Sequence, residues 1–164
     1  GAVGGKLLYP DGRIQHAGVV AGMVGAAGHP HKFFPDNHIG YHGRLHMAYN
    51  VSAVTGAMMM IKTSKFKDVG GFDEDNLAVA YNDIDLCLKL LKKGLYNLFT
   101  PHAKATHHES ISRGYEDTDE KMQRLLKEQS HFLTTWSDFL KAGDPFYNPN
   151  LSLKNERFSL NFKD

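Results

Sequence analysis

At 164 residues, 41% hydrophobic and 23% charged, the chain is one domain or part of one and is long enough to bury a real core. A formal net charge of +1 provides neither a basic field for nucleic acid nor an acidic tail, so no nucleic-acid partner is expected. The single cysteine, Cys87, excludes an internal disulfide, and no apolar run approaches the roughly 20 residues of a membrane-spanning helix.

Taken in order, "VGGKLLYPDGRIQHAGVVAG" reads as two strands around a turn at Pro10-Asp11-Gly12. No charged region precedes an apolar stretch there, so no signal peptide is expected. Residues 25–50 have no clean period and mix glycine, proline, histidine and aromatics, the mark of a long functional loop. Its "GHPHKFF" places His29 and His31 two residues apart, a weak metal signal that reads better as part of a functional loop. "SAVTGAMMMIKTSKF" carries an apolar run suited to a buried core strand, with Thr63 or Ser64 capping a short helix that stops at Gly70-Gly71. After the turn "GGFDEDN" comes a helix over 82–93. "YNLFTP" and "AKATHH" read as two short strands, and "SRGYEDTDE" as a loop. From Asp119 one long helix is predicted, with Met122, Leu125, Leu126, Gln129, Phe132, Leu133, Trp136, Phe139 and Leu140 at helical spacing. The proline-broken tail from Asp144 is predicted to lie on the body. The order predicts mixed α/β architecture, a mixed sheet flanked by helices. No glycine-rich phosphate loop is present, because "GAVGG" precedes a strand rather than a helix.

The helix "AYNDIDLCLKLLKKG" poses the chemical question. Ile84, Cys87, Leu88 and Leu91 make one apolar face, yet its first turn holds Asn82, Asp83 and Asp85. Capping is one explanation, since acids suit the positive helix end. Cys87 on the apolar face is consistent with a reduced, cytoplasmic chain.

Four stretches together resemble the C-terminal half of family 2 glycosyltransferases with the GT-A (nucleotide-diphospho-sugar transferase) fold, closest to bacterial rhamnosyltransferase-like, polysaccharide-assembly enzymes. They are "VGGKLLYPDGRIQHAGVV", "YNVSAVTGAMMMIKTSKFKDVGGFDE", "AYNDIDLCLKLLKKGLYNLFTPHAKATHHESISRG" and "DPFYNPNLS", in that order. The resemblance covers nearly the whole chain. It implies a nucleotide-sugar donor, a saccharide or lipid-linked acceptor and inversion at the anomeric carbon. It also implies a divalent cation, Mn²⁺ or Mg²⁺, held by an Asp-x-Asp pair against the diphosphate.

In that family the base is the second residue of a Glu-Asp or Asn-Asp pair opening a helix. Here the pair is Asn82-Asp83, so Asp83 resembles the catalytic base. Asp85, roughly 200° further round the helix, is expected to be structural or to support the site from behind. The resemblance offers His107, 24 positions after Asp83, as first choice for a metal ligand and His108 as second. Against this, adjacent strand histidines point to opposite faces. Arg113 could meet a diphosphate or stand as an exposed loop arginine. Thr55, Gly56 and Ala57 are small enough for a ligand to approach backbone, or simply form a tight strand entrance.

The Asp-x-Asp letters at 73–75, 83–85 and 117–119 do not follow a buried strand, so none takes the metal pair's place. The chain is therefore expected to be the acceptor-side half, core about 1–114 and long helix with tail about 115–164, lacking the nucleotide-binding half. It is expected to be inactive alone, with no or weak metal binding. An exposed apolar side would favour self-association, or peripheral contact at the inner face of the membrane. Two other readings stand beside this one: one chain of a split transferase, and a non-catalytic carbohydrate-binding or interaction module.

Overall fold

The computed structural model describes residues 1–108 and 118–162. Strand β1 (Val3–Leu8) turns back antiparallel into β2 (Ile14–His16), pairing Leu7 with His16. The turn closes through Tyr9 N–H to the Arg13 carbonyl at 2.8 Å, with Gly12 at φ +82°, as the sequence predicts. A small hairpin follows, β3 (Val20–Ala21) with β4 (Ala27–Gly28). The long loop then contributes only a 3₁₀ segment at Tyr41–His46 before β5 (Tyr49–Val51), β6 (Met59–Met60) and the short helix α1 (Thr63–Asp68). Next come α2 (Asn82–Lys92), β7 (Asn97–Thr106), α3 (Asp119–Thr135) and α4 (Ser137–Ala142). The main sheet runs β2-β1-β7-β5 with β6 also on β1; β1 and β7 are parallel and the other pairings antiparallel. The architecture is mixed α/β.

Several local expectations change. "YNLFTP" and "AKATHH" are one strand, not two. Gly5 pairs with Thr100 and Lys6 with Lys104, so residues 101–103 bulge out of the ladder. Pro101, which has no N–H to donate, sits in that bulge, and both halves of β7 stay on β1. The "MMM" run is not a core strand. Met58 ends a 3₁₀ turn, β6 pairs only with Val3 and Gly4, and Met60 is 76% exposed. Neither Thr63 nor Ser64 caps α1, because the helix begins at Thr63 and leaves Lys62 in the cap position. The long C-terminal helix breaks at Trp136, where φ −105° and ψ 16° leave the helical range.

One core unites the sheet with α2, α3 and the 51–54 segment; Leu86, Cys87, Leu90, Phe99 and Phe132 are wholly buried in it. Burial reaches round most of α2, taking in Leu86 and Leu90 beyond the single face that the spacing predicts. Burial also pushes the Cys87 thiol up to about 12. Its centre is polar. Buried Asn97 accepts from the Ala2 N–H at 2.9 Å and donates to the Ser52 and Cys87 carbonyls, each at 2.9 Å. A second cluster of Val20, Met23, Tyr147 and Leu151 holds the tail, with Tyr41 and Phe158 packed against it. His31 joins loop to tail. Its N–H donates to the Glu156 carbonyl, its ring lies against Phe158, and its Nε2 accepts from the Tyr41 N–H at 2.9 Å. Among the described residues no helix is long and apolar enough to cross a membrane.

Two outcomes follow from these buried polar groups. Asn97→Ala leaves an N–H and two carbonyls without their partner. At about 1–3 kcal/mol for each orphaned group, urea denaturation should show a loss of at least about 3 kcal/mol. Burial holds His31 at about 3 instead of 6.5. The unfolded chain therefore takes up a proton first as pH falls below 6.5. Stability contributed by neutral His31 is whole above that value, declines by up to about 1.4 kcal/mol per pH unit, and is gone near pH 3. His31→Gln should show a shallower loss over the same window when urea midpoints are compared.

Candidate active site

The helix opening at Asn82 is not held by a side-chain cap. Its N-cap is Tyr81, at a left-handed φ of +63° that is strained for a bulky residue. Helix α3 imposes that conformation. The Glu128 carboxylate accepts from the Ala80 N–H, Gln129 donates to the Tyr81 hydroxyl at 3.2 Å, and Phe132 stacks on the Tyr81 ring at 5.0 Å. The strain is stored where the surroundings over-determine it.

The three polar residues of the first turn separate at once. Asp83 is half-buried and points out of the core. Its Oδ2 accepts from the Gly56 N–H at 2.8 Å and its Oδ1 from the Ile84 N–H at 2.8 Å. Asp85 is 2% exposed and points the other way, accepting from Trp136 Nε1–H at 2.9 Å and pairing with Lys89 at 2.7 Å. It is part of the α2–α3 packing and does not share a site with Asp83. Asn82 is half-buried beside Asp83 in the first turn.

Thr55, Gly56 and Ala57 form the turn that meets Asp83. Thr55 caps the 3₁₀ segment Gly56–Met58, its hydroxyl accepting from the Ala57 N–H. A Cβ on Gly56 would lie 3.5 Å from that of Asp83, so the close approach here is to the carboxylate. The segment comes in under tight steric control. Val19 bonds Ala53, and a Cβ on Gly4 would fall 2.5 Å from Val54.

Thr55 also lines a cleft of about 90 Å³ with Tyr9, Gln15, His16, His29, Lys32 and His107. His107 follows β7, its N–H bonded to the Leu8 carbonyl and its ring Nδ1 lying 2.8 Å from Gln15 Oε1. His16 is buried, with Nδ1 2.9 Å from His29 Nδ1. Burial first, then the neighbouring His29, holds His16 well below the usual imidazole range, so it is neutral. His108 is exposed. Arg113 lies outside the described residues. The chain thus brings Asp83, Gly56, Thr55 and His107 into one connected region and leaves Asp85 behind it. Gln15 and His16 lie within the first of the four stretches that carry the resemblance, yet neither was singled out as a site residue from the sequence. The larger cleft, about 790 Å³ between α2 and α4, is lined by Leu88, Leu91, Trp136 and Phe139 and includes none of these residues.

Residues 12–139 match the family described as glycosyl transferase family group 2. The chain belongs to this family. Among curated relatives it is 52% identical over 162 residues to the uncharacterized protein y4gI of Sinorhizobium fredii, spanning 98% of this chain and 18% of that protein. It is 38% identical over 157 residues to the O-antigen biosynthesis protein RfbC of Myxococcus xanthus, spanning 93% of this chain and 12% of RfbC. A 64-residue stretch is 34% identical to an N-acetylglucosaminyl-diphospho-decaprenol L-rhamnosyltransferase of Mycobacterium tuberculosis, covering 39% of this chain and 20% of that enzyme. The chain therefore spans less than a fifth of the first two relatives. No solved structure matches. The glycosyltransferase family bears out the resemblance read from the four stretches.

Among the described residues no three His, Cys, Asp or Glu side chains converge on a point where a metal could sit. His107 and Gln15 give one nitrogen and one amide oxygen, too few hard donors for Mn²⁺ or Mg²⁺. The donor set described here does not by itself make a cation site.

The glycine geometry predicts opposite effects at two nearby positions. Gly56→Ala meets only ordinary contacts and should leave stability unchanged or raised by up to about 1 kcal/mol. Gly4→Ala drives a methyl into Val54 and should cost about 1–3 kcal/mol. Thermal denaturation of the two variants side by side is the check.

Proposed function

We propose that this chain is the acceptor-side portion of an inverting glycosyltransferase, acting in the synthesis of a cell-surface polysaccharide, with Asp83 as general base. The observation that carries this reading is the placing of Asp83: a half-buried carboxylate, aimed out of a rigid helix start and fixed by the Gly56 amide. In the proposed step the acceptor hydroxyl gives its proton to Asp83 while its oxygen bonds the anomeric carbon. The bond to the nucleoside diphosphate breaks on the opposite face, and the leaving oxygen takes the electron pair. The Gly56 and Ile84 N–H groups each donate to one oxygen and fix the direction of the carboxylate. Thr55 and Ala57 flank it, and Asn82 opens the helix beside it.

The donor is a nucleotide sugar and the acceptor a saccharide or lipid-linked saccharide, in keeping with what the names of the Myxococcus and Mycobacterium relatives say of those proteins. A divalent cation, held with His107 and in second place His108, belongs to the larger enzyme; this chain alone binds it weakly or not at all. Arg113 is proposed to meet the diphosphate. The work is placed in the cytoplasm, at or near the inner face of the membrane, where sugar nucleotides are made.

The test is sugar transfer from nucleotide-sugar donors, measured with the chain alone and within the longest protein that carries it. Asp83→Asn keeps the size and one of the two acceptor oxygens but cannot take a proton, and its NH2 must face either the Gly56 or the Ile84 N–H. It should lower turnover about 10²–10⁴-fold with donor binding retained, the one backbone N–H left without an acceptor costing about 1–3 kcal/mol of folded stability. Wild-type turnover in Asp83→Asn would remove Asp83 as base. Saccharide binding without transfer in the longest protein would favour the non-catalytic carbohydrate-binding module instead.

A further inference from the structure

The histidine pair lining the cleft has no part in the chemistry above, yet its contacts constrain which ring nitrogens carry protons. His16 Nε2 faces two backbone donors, the Gly18 N–H at 3.3 Å and the Thr55 N–H at 3.5 Å. Two N–H groups directed at one nitrogen require a bare lone pair, so the His16 proton resides on Nδ1. That proton is directed at His29 Nδ1, 2.9 Å away, which must then be bare. One buried ring thus reads out as a defined chain of donors and acceptors, running from backbone at residues 18 and 55 to a second ring on the cleft wall.

The consequence lies at Thr55. The residue after it, Gly56, donates to Asp83 Oδ2 at 2.8 Å. The Thr55 N–H is therefore directed at His16 on one side, and the next peptide aims its N–H at the carboxylate. Gly18, on the same acceptor, lies in the segment that leaves β2. Val19 N–H then bonds the Ala53 carbonyl at 2.9 Å. Both strands of this junction are thus tied together immediately before the turn that reaches Asp83.

We propose that His16 is a positioning residue for Asp83, acting through the Thr55 amide to hold the Gly56 N–H on the carboxylate. This rests on the reading of Asp83 as the base, but its test does not require transfer. Nitrogen NMR of the histidine-labelled chain should show His16 with a bare Nε2 and a protonated Nδ1. His16→Gln carries an amide oxygen to the place of Nε2 and should keep the Gly56 amide signal and its hydrogen-exchange protection. His16→Met, similar in size but without an acceptor, should speed Gly56 exchange about tenfold and shift its amide proton upfield, while Leu88 and Leu90 on α2 keep their protection.

A wild-type His16 protonated on Nε2 overturns the proposal. So does an unchanged Gly56 signal in folded His16→Met, or an equal loss in both variants, which would mean a packing role only. Should His16→Met fail to fold, the tautomer and the His16→Gln spectrum still decide. Because none of these readouts involves a sugar, a negative result here leaves the assignment of Asp83 as base to the transfer assay.

Discussion

A single buried amide holds the framework together. Asn97 begins β7 just after the chain returns from α2, and its side chain bonds the start of β1, the Ser52 carbonyl and the Cys87 carbonyl of α2. Four segments far apart in sequence meet at one group with no exposed surface. Buried polar groups are tolerated only when satisfied, so the amide admits one mutual arrangement of those segments. That arrangement lays α2 over the 52–55 stretch and brings Gly56 to Asp83. The site is a consequence of the packing on one side and of α3 on the other, which forces Tyr81 into its left-handed turn.

Two acids two residues apart are given different tasks by this environment. Asp85 is turned inward to Trp136 and Lys89, where its loss would strand an indole N–H in the core. Asp83 is turned outward onto backbone amides. A carboxylate held by backbone N–H donors has a fixed direction, which is what the proposed role of Asp83 as base requires. The same economy appears in the histidines: His16 and His31 are buried, neutral acceptors for backbone N–H groups, whereas His107 stands at the cleft beside Gln15.

Much of the fold was legible. The turn at Gly12, the bounds of α2 and the stripe along α3 follow from local rules that act over a few residues. The errors share one cause. Whether "YNLFTP" and "AKATHH" are one strand or two depends on β1, which pairs with both across the Pro101 bulge. Whether "MMM" is core depends on β2 already occupying the far half of β1's edge. Trp136 fits the helical stripe, yet the backbone breaks there and its indole reaches Asp85.

The sequence by itself determined the family and the mixed α/β class, because the motif order is carried by the letters alone, and the helix period already set Asp83 and Asp85 on different sides of α2. Only the tertiary structure decided what holds Asp83. The Gly56 amide lies 27 positions away in the chain, His16 lies 39 from Thr55, and Glu128 lies 48 from Ala80. No periodicity spans such separations. These contacts exist because the packed fold sets segments distant in sequence side by side, and that is decided in three dimensions, not along the sequence.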